Sequence, residues 1–369
     1  MTETELRYAM ALTLIPGISR ATLCEMLRQA GSAVEAYNRF KTVQEDEELS
    51  PRLAEQVGLM PQYLDRAGRE LEFAESKDIR ILTLADADYP SRLRECPDAP
   101  TVLYYKGNAD LNARHVISMV GTRHCTEYGR DMCRTFLRDL AALCPDVLVI
   151  SGLAYGIDVH AHQEALNNRL PTIGVLAHGL DMLYPASHKR IANEMVSQGG
   201  LLTEFMSGSN SDRFHFVQRN RIVAGMSDAT IVVESKEQGG SLITAELAEM
   251  YYRDVFACPG RVTDMASKGC NNLIQSNRAS LLQDARQFVE AMGWETASAP
   301  GAIQRELFVD LSPQEERVVE ALSDYEPHGI NTLVVQCNIP IQQMLEILLG
   351  LEMKGVVKAM VGSQYRLLS

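Results

Sequence analysis

Between residues 213 and 221 the sequence reads Arg-Phe-His-Phe-Val-Gln-Arg-Asn-Arg, three arginines interleaved with two phenylalanines. Guanidinium groups pair with phosphates and rings stack on unpaired bases. Arg213, Phe214, Phe216, Arg219, Asn220 and Arg221 therefore have the make-up of a single-strand nucleic-acid site. The structural alternatives are core packing for the rings and ion pairing of Arg219 and Arg221 with Glu204 or Glu234. Three other segments combine glycine with hydroxyls. They are Gly121-Thr122-Arg123-His124 with Tyr128-Gly129 behind it, Ser151-Gly152-Leu153-Ala154-Tyr155-Gly156-Ile157-Asp158, and Gln238-Gly239-Gly240-Ser241-Leu242-Ile243-Thr244-Ala245. Glycine lets a phosphate approach the backbone, Thr122, Ser241 and Thr244 offer hydroxyls, and Arg123 offers a planar fork of donors. None of the segments matches G-x-G-x-x-G or G-x-x-x-x-G-K-[ST], and a tight turn explains any one of them equally well.

Two other constellations lead elsewhere. Asp158-x-His160-x-His162 gathers three groups able to bind a metal, but on a helix only Asp158 and His162, four apart, share a face. With no second cluster to complete a ligand set, Asp158 is expected to cap a helix and His162 to pack inside. No G-x-S-x-G elbow supports a serine nucleophile. No catalytic residue, metal or cofactor is expected.

The whole chain of 369 residues carries a net charge of −13, so any polyanion must be met by a local basic pocket. Residues 1–68 hold 7 Lys/Arg against 10 Asp/Glu, and residues 301–369 hold 5 against 9. Residues 205–225 run the other way, with Arg213, Arg219 and Arg221 against Asp212. The eight cysteines form no C-x-x-C pair and read as reduced, mostly buried thiols. An N-terminus opening with Thr2, Glu3 and Glu5 does not look like a signal peptide, and no apolar run reaches a membrane-spanning length. A cytoplasmic protein without membrane contact is expected.

The elements that must position these residues follow from periodicity. Apolar runs at 79–84, 116–120, 147–150, 172–176, 230–233 and 255–258 alternate with amphipathic stretches at 130–143, 158–167, 189–198 and 242–252. That alternation predicts a mostly parallel sheet covered on both faces, an extended Rossmann-like doubly wound α/β fold over residues 69–295. In such sheets ligands bind beyond the carboxyl ends of the strands, where the glycine segments fall. Residues 1–68 read as an all-helical domain, with Ile15-Pro16-Gly17-Ile18 between helices resembling a helix-hairpin-helix (SAM-like) turn, though with no Lys or Arg but Arg20 a plain tight helix–helix turn is favoured; Glu45-Asp46-Glu47-Glu48 reads as a solvated loop. Residues 296–312 read as a linker, and 313–369 as three helices and a hairpin, a winged-helix-like domain. The helix in the recognition position, 341–353, carries Glu346 and Glu352 and no basic residue, which favours a protein-interaction or packing module over a DNA reader.

Taken together, Gly121–Arg123 with Tyr128-Gly129, Ser151–Asp158, Arg219–Ser227 and Gly240–Ala245, in this order and spacing, resemble the DprA/Smf family of bacterial DNA-processing proteins. Tyr89-Pro90, Ala99-Pro100, Leu103-Tyr104 and Lys106-Gly107-Asn108 upstream, and Pro259-Gly260 with Gly269-Cys270-Asn271-Asn272-Leu273-Ile274 downstream, extend the likeness over about residues 80–290. The resemblance implies a non-catalytic homodimer that binds single-stranded DNA and helps load the RecA recombinase during natural transformation. It also implies that Arg123 holds a phosphate, with Arg213 in the family's basic position and Phe216 in its aromatic one. Val217 stands where proline is usual, Gly239 where serine is usual, and Asn277-Arg278 where Gly-Ala is usual. The competing reading is a nucleoside-monophosphate phosphoribohydrolase, with Glu246 as general acid/base and Arg123 as substrate clamp; it lacks the proline before Gly239 and has Leu242-Ile243 in place of a Gly-Thr turn.

Overall fold

The computed structural model describes residues 2–45, 51–209, 212–296, 311–323, 328–354, 356–360 and 364–367. Residues 1–297 and 298–369 form separate units. The first opens with helices α1 (Glu3–Leu12), α2 (Arg20–Ala30), α3 (Ala33–Glu45), α4 (Pro51–Gly58) and α5 (Met60–Ser76). Thr2 and Ser19 cap α1 and α2 by accepting the Glu5 and Thr22 amides, and Gly17, at φ 94°, turns the chain between them. The boundary expected at 68/69 falls inside α5. That helix runs on because Ala67 and Ala74 keep its apolar face buried, in one cluster with Met10, Met60 and the sheet residues Val102 and Tyr104. The helical layer is thus packed onto the edge of the sheet.

The remaining elements of this unit are β1 (Arg80–Thr83), α6 (Ser91–Arg94), β2 (Val102–Gly107), β3 (Val116–Val120), α7 (Glu127–Leu143), β4 (Leu148–Ser151), α8 (Ile157–Asn167), β5 (Thr172–Val175), α9 (Lys189–Ser197), β6 (Gly199–Thr203), α10 (Arg213–Gly225), β7 (Ala229–Val232), α11 (Gly240–Met250), β8 (Asp254–Ala257), α12 (Lys268–Gln275), β9 (Ser280–Leu281) and α13 (Ala285–Ala291). The strands form one sheet in the order β1-β2-β6-β5-β4-β3-β7-β8-β9. From β6 to β9 all pairings are parallel, and β2 and β1 add an antiparallel edge. Alternate residues of β3 face two cores, Val116 and Val120 one way, Ile117 and Met119 the other. Buried between them, Ser118 and Thr230 share a hydroxyl–hydroxyl bond of 2.8 Å. Strands β2, β6 and the two-residue β9 are additional to the apolar runs expected. β6 opens on Gly199-Gly200, poor strand formers, and a Cβ there would stand 1.9 Å from Thr172 O or 2.5 Å from the Tyr105 ring.

The second unit contains α14 (Pro313–Ala321), β10 (His328–Gly329), α15 (Ile330–Cys337), α16 (Ile341–Met353), β11 (Val357–Met360) and β12 (Gln364–Leu367), with sheet order β10-β12-β11. Ser312 and Glu315 close a capping box on α14. This is the expected winged helix. Most of the expected linker, and residues 46–48 of the expected acidic loop, lie outside the described residues. All eight cysteines are free, and among the described residues no single helix is long and apolar enough to cross a membrane.

Candidate nucleic-acid interface

From β3 the chain builds the sheet outward through β4, β5 and β6, then returns to place β7 on the other side of β3. That reversal opens a crevice beyond the carboxyl ends of β3 and β7, the position at which open α/β sheets bind ligands. A cavity of about 1000 Å³ occupies it. One wall is Gly121-Thr122-Arg123-His124, following β3; the opposite wall is Lys236 and Gln238–Thr244, following β7 and entering α11. Gly152 and Asp158 lie beneath, and α10 closes the remaining side.

The β3 wall is held by Glu234, which is buried. Its backbone carbonyl accepts the Thr122 amide at 2.8 Å, and its carboxylate accepts both the amide and the hydroxyl of Thr126, the N-cap of α7. Gly129 leaves room for that carboxylate, since a Cβ would meet Oε2 at 2.4 Å. Gly156 serves the same loop from the other side. It holds φ 79°, and a Cβ would fall 2.1 Å from Thr122 O. Tyr128 donates to Pro259 O and Ser151 to Met119 O, so both brace the scaffold and neither lines the cavity. Ser151 belongs to β4, where it is buried, rather than to the loop after it.

The segment carrying Arg213 to Arg221, read above as a loop, is helical. Asp212 caps α10 by accepting the His215 amide at 2.7 Å. The helix therefore sends residues two apart to different sides. Phe216 lines the cavity, with the Arg123 guanidinium 5.1 Å from its ring centroid, whereas Phe214 is 70% exposed and outside the lining. Arg219 is buried at the cavity floor, donates to Val175 O at 2.6 Å and interacts with the Asp158 carboxylate. Burial pushes the Asp158 carboxyl up and the Arg219 guanidinium down, so desolvation outweighs their mutual attraction. Gly152 exists for this guanidinium: a Cβ would stand 1.8 Å from Nη1. Arg221 turns away, pairs with buried Glu204 and donates to Asp98 O at 2.7 Å, as one of the structural alternatives anticipated.

Asn220, Arg213 and Gly240 also line the cavity, as do the buried Ser241 and Thr244, with Ser241 Oγ donating to Ser235 Oγ at 2.9 Å. Gly239, the N-cap of α11, has no side chain to fill the first turn, which leaves a helix N-terminus open toward the cavity. Arg123, Arg213 and Lys236 are exposed lining residues, and among the described residues none has a carboxylate at ion-pair distance. Sequence reasoning missed Lys236 and Tyr184. Tyr184, 44% exposed, meets the Phe216 ring edge-on at 5.8 Å between centroids. Both lie beyond strand ends, β7 and β5, so reading every such loop would have found them. His162 is buried, as expected, with Nδ1 2.7 Å from Thr172 Oγ1; burial lowers its pKa to about 3. Asp158 lies in the first turn of α8, where Gly156 is the N-cap, and accepts the Ala154 amide at 3.4 Å. Glu246 is exposed on α11 and does not line the cavity.

A Rossmann-like sheet with a cationic, aromatic-edged cavity at its switch point, accompanied by a winged helix, defines the class as a doubly wound α/β protein with a second, winged-helix unit. The profile of the family described as DNA recombination-mediator protein A matches residues 80–293, and that of the DprA winged helix domain matches 305–363. The chain belongs to the DNA recombination-mediator protein A family. The DNA processing protein DprA of Streptococcus pneumoniae is 41% identical over 212 residues, 58% of this chain and 73% of that protein. Its X-ray structure aligns with a TM-score of 0.58 at 33% identity, covering 74% of this chain and 98% of that one. Protein Smf of Synechocystis is 32% identical over 330 residues, 80% of this chain and 82% of the relative. The structure of DNA processing protein A from Helicobacter pylori, described for its single-stranded DNA binding mode, aligns with a TM-score of 0.52 at 26% identity, covering 58% and 95%.

Proposed function

We propose that this chain binds single-stranded DNA in the switch-point cavity and acts as a recombination mediator rather than an enzyme. The observation that carries the reading is the Arg123 guanidinium over the Phe216 ring at the cavity, where Arg213 and Lys236 add two more cations that have no carboxylate partner among the described residues. A phosphate fits the cations and the open N-terminus of α11, and an unpaired base fits the Phe216 and Tyr184 rings. Family membership supports the finer roles: delivery of the bound strand to RecA, work in the cytoplasm during DNA uptake, and a homodimer that lets two cavities share one strand. The competing phosphoribohydrolase reading needs Glu246 at the substrate, and its exposed position outside the lining argues against it. Photocrosslinking of a 4-thiothymidine-substituted oligo-dT, followed by peptide mapping, tests the site. Crosslinks are expected on 121–129, 184 or 213–220, and crosslinks confined to other segments would contradict it.

A further inference from the structure

In the recognition position of the winged helix, α16 presents an apolar ridge. Ile341, Leu345, Leu349 and Met353 recur every four residues and are 49, 48, 60 and 84% exposed. The adjoining inner face, Met344, Leu348 and Leu351, already fills the core of the unit. Single exposed apolar side chains are ordinary on a protein surface, but four along one side of a thirteen-residue helix form a continuous strip.

Charge selects what the strip fits. Glu346 and Glu352 share the exposed side, and α16 contains no Lys or Arg. Lys354, just beyond it, is bonded to both carboxylate oxygens of Glu315 at 2.7 and 2.9 Å. A duplex reader would set cations against phosphates here, and Glu346 and Glu352 would repel them. A second copy of α16 would bring the same glutamates against one another. An amphipathic helix with apolar residues three and four apart and Lys or Arg along its margins complements both features at once.

We propose that α16 is the docking ridge for a basic amphipathic helix of a partner protein, with the winged helix serving as an adaptor module and not as a second DNA grip. This docking does not depend on DNA binding by the first unit. The test uses the full chain and two fluorescein-labelled helical peptides of about five turns with leucines on one face, one edged with lysine and its twin with glutamate. Binding of the lysine-edged peptide should be roughly tenfold tighter or more than that of its twin. Leu345→Gln with Leu349→Gln should weaken it by roughly tenfold, and Glu346→Lys should weaken it while favouring the glutamate-edged twin. Circular dichroism should confirm that these surface variants remain folded, and oligo-dT affinity should be unchanged. Equal binding of the two peptides, or binding unmoved by the variants, would overturn the proposal. So would a change of oligomeric state in the Leu345/Leu349 variant, which would make the ridge a contact between copies, or a loss of duplex-DNA binding, which would make it a DNA surface.

Discussion

Arg123 and Phe216 touch each other, yet they should leave different signatures on binding. If Arg123 holds a phosphate, Arg123→Ala should weaken all sequences alike and reduce the slope of log K against log salt by about 0.7, the counterion release per single-strand phosphate. Phe216 displaces no counterion, so Phe216→Ala should cost roughly 1–3 kcal/mol of affinity at an unchanged salt slope. Phe216 is only half-buried, so the same variant should leave the melting temperature of the free protein nearly unmoved; a fall of many degrees would return the ring to the core. Gly156 works on the same loop through the backbone. At φ 79°, with Thr122 O 2.1 Å from any Cβ, Gly156→Ala should destabilise the fold by about 1–3 kcal/mol and displace Arg123. Thermal melts and oligo-dT titration should both register it, and an unperturbed variant would mean that the loop is not clamped there.

At the scale of elements, α10 shows what was legible and what was not. The glycine segments declared themselves because a turn residue acts locally, through its own φ or a neighbour's approach, and both Gly152 and Gly156 are required in just those ways. The division of labour along α10 is not local. Reading 213–221 as a loop assigned three arginines and two rings to one site, whereas helical geometry parts residues two apart, sending Phe216 and Arg219 to the cavity and Phe214 and Arg221 elsewhere. The fold decides between the two carboxylates open to Arg221 by bringing Glu204, seventeen positions away, against it. That pair is buried, with Arg20 as a second cation on Glu204. Arg20 still holds Glu204 in Arg221→Ala, so the variant should cost about 1–3 kcal/mol of stability, the loss of a charge-assisted hydrogen bond at a buried carboxylate. The salt slope of DNA binding should not change, and a slope change like that of Arg123→Ala would put Arg221 back in the site.

Over the whole molecule the charge is −13, and the cations that matter are gathered where the chain reverses direction across its sheet. The doubly wound sheet was legible because buried parallel strands must be continuously apolar. Strand β6, between the parallel run and the antiparallel edge, was not, because it begins with glycines that only its neighbours explain. A local cationic cavity edged by rings on a repelling surface should discriminate between forms of DNA, since stacking needs a base face that a duplex hides. Titration of the full chain with a single strand and a duplex of the same length, at the same salt concentration, measures this most directly. Single-strand affinity higher by roughly tenfold or more is the expected result. Equal affinity for the two would contradict the account.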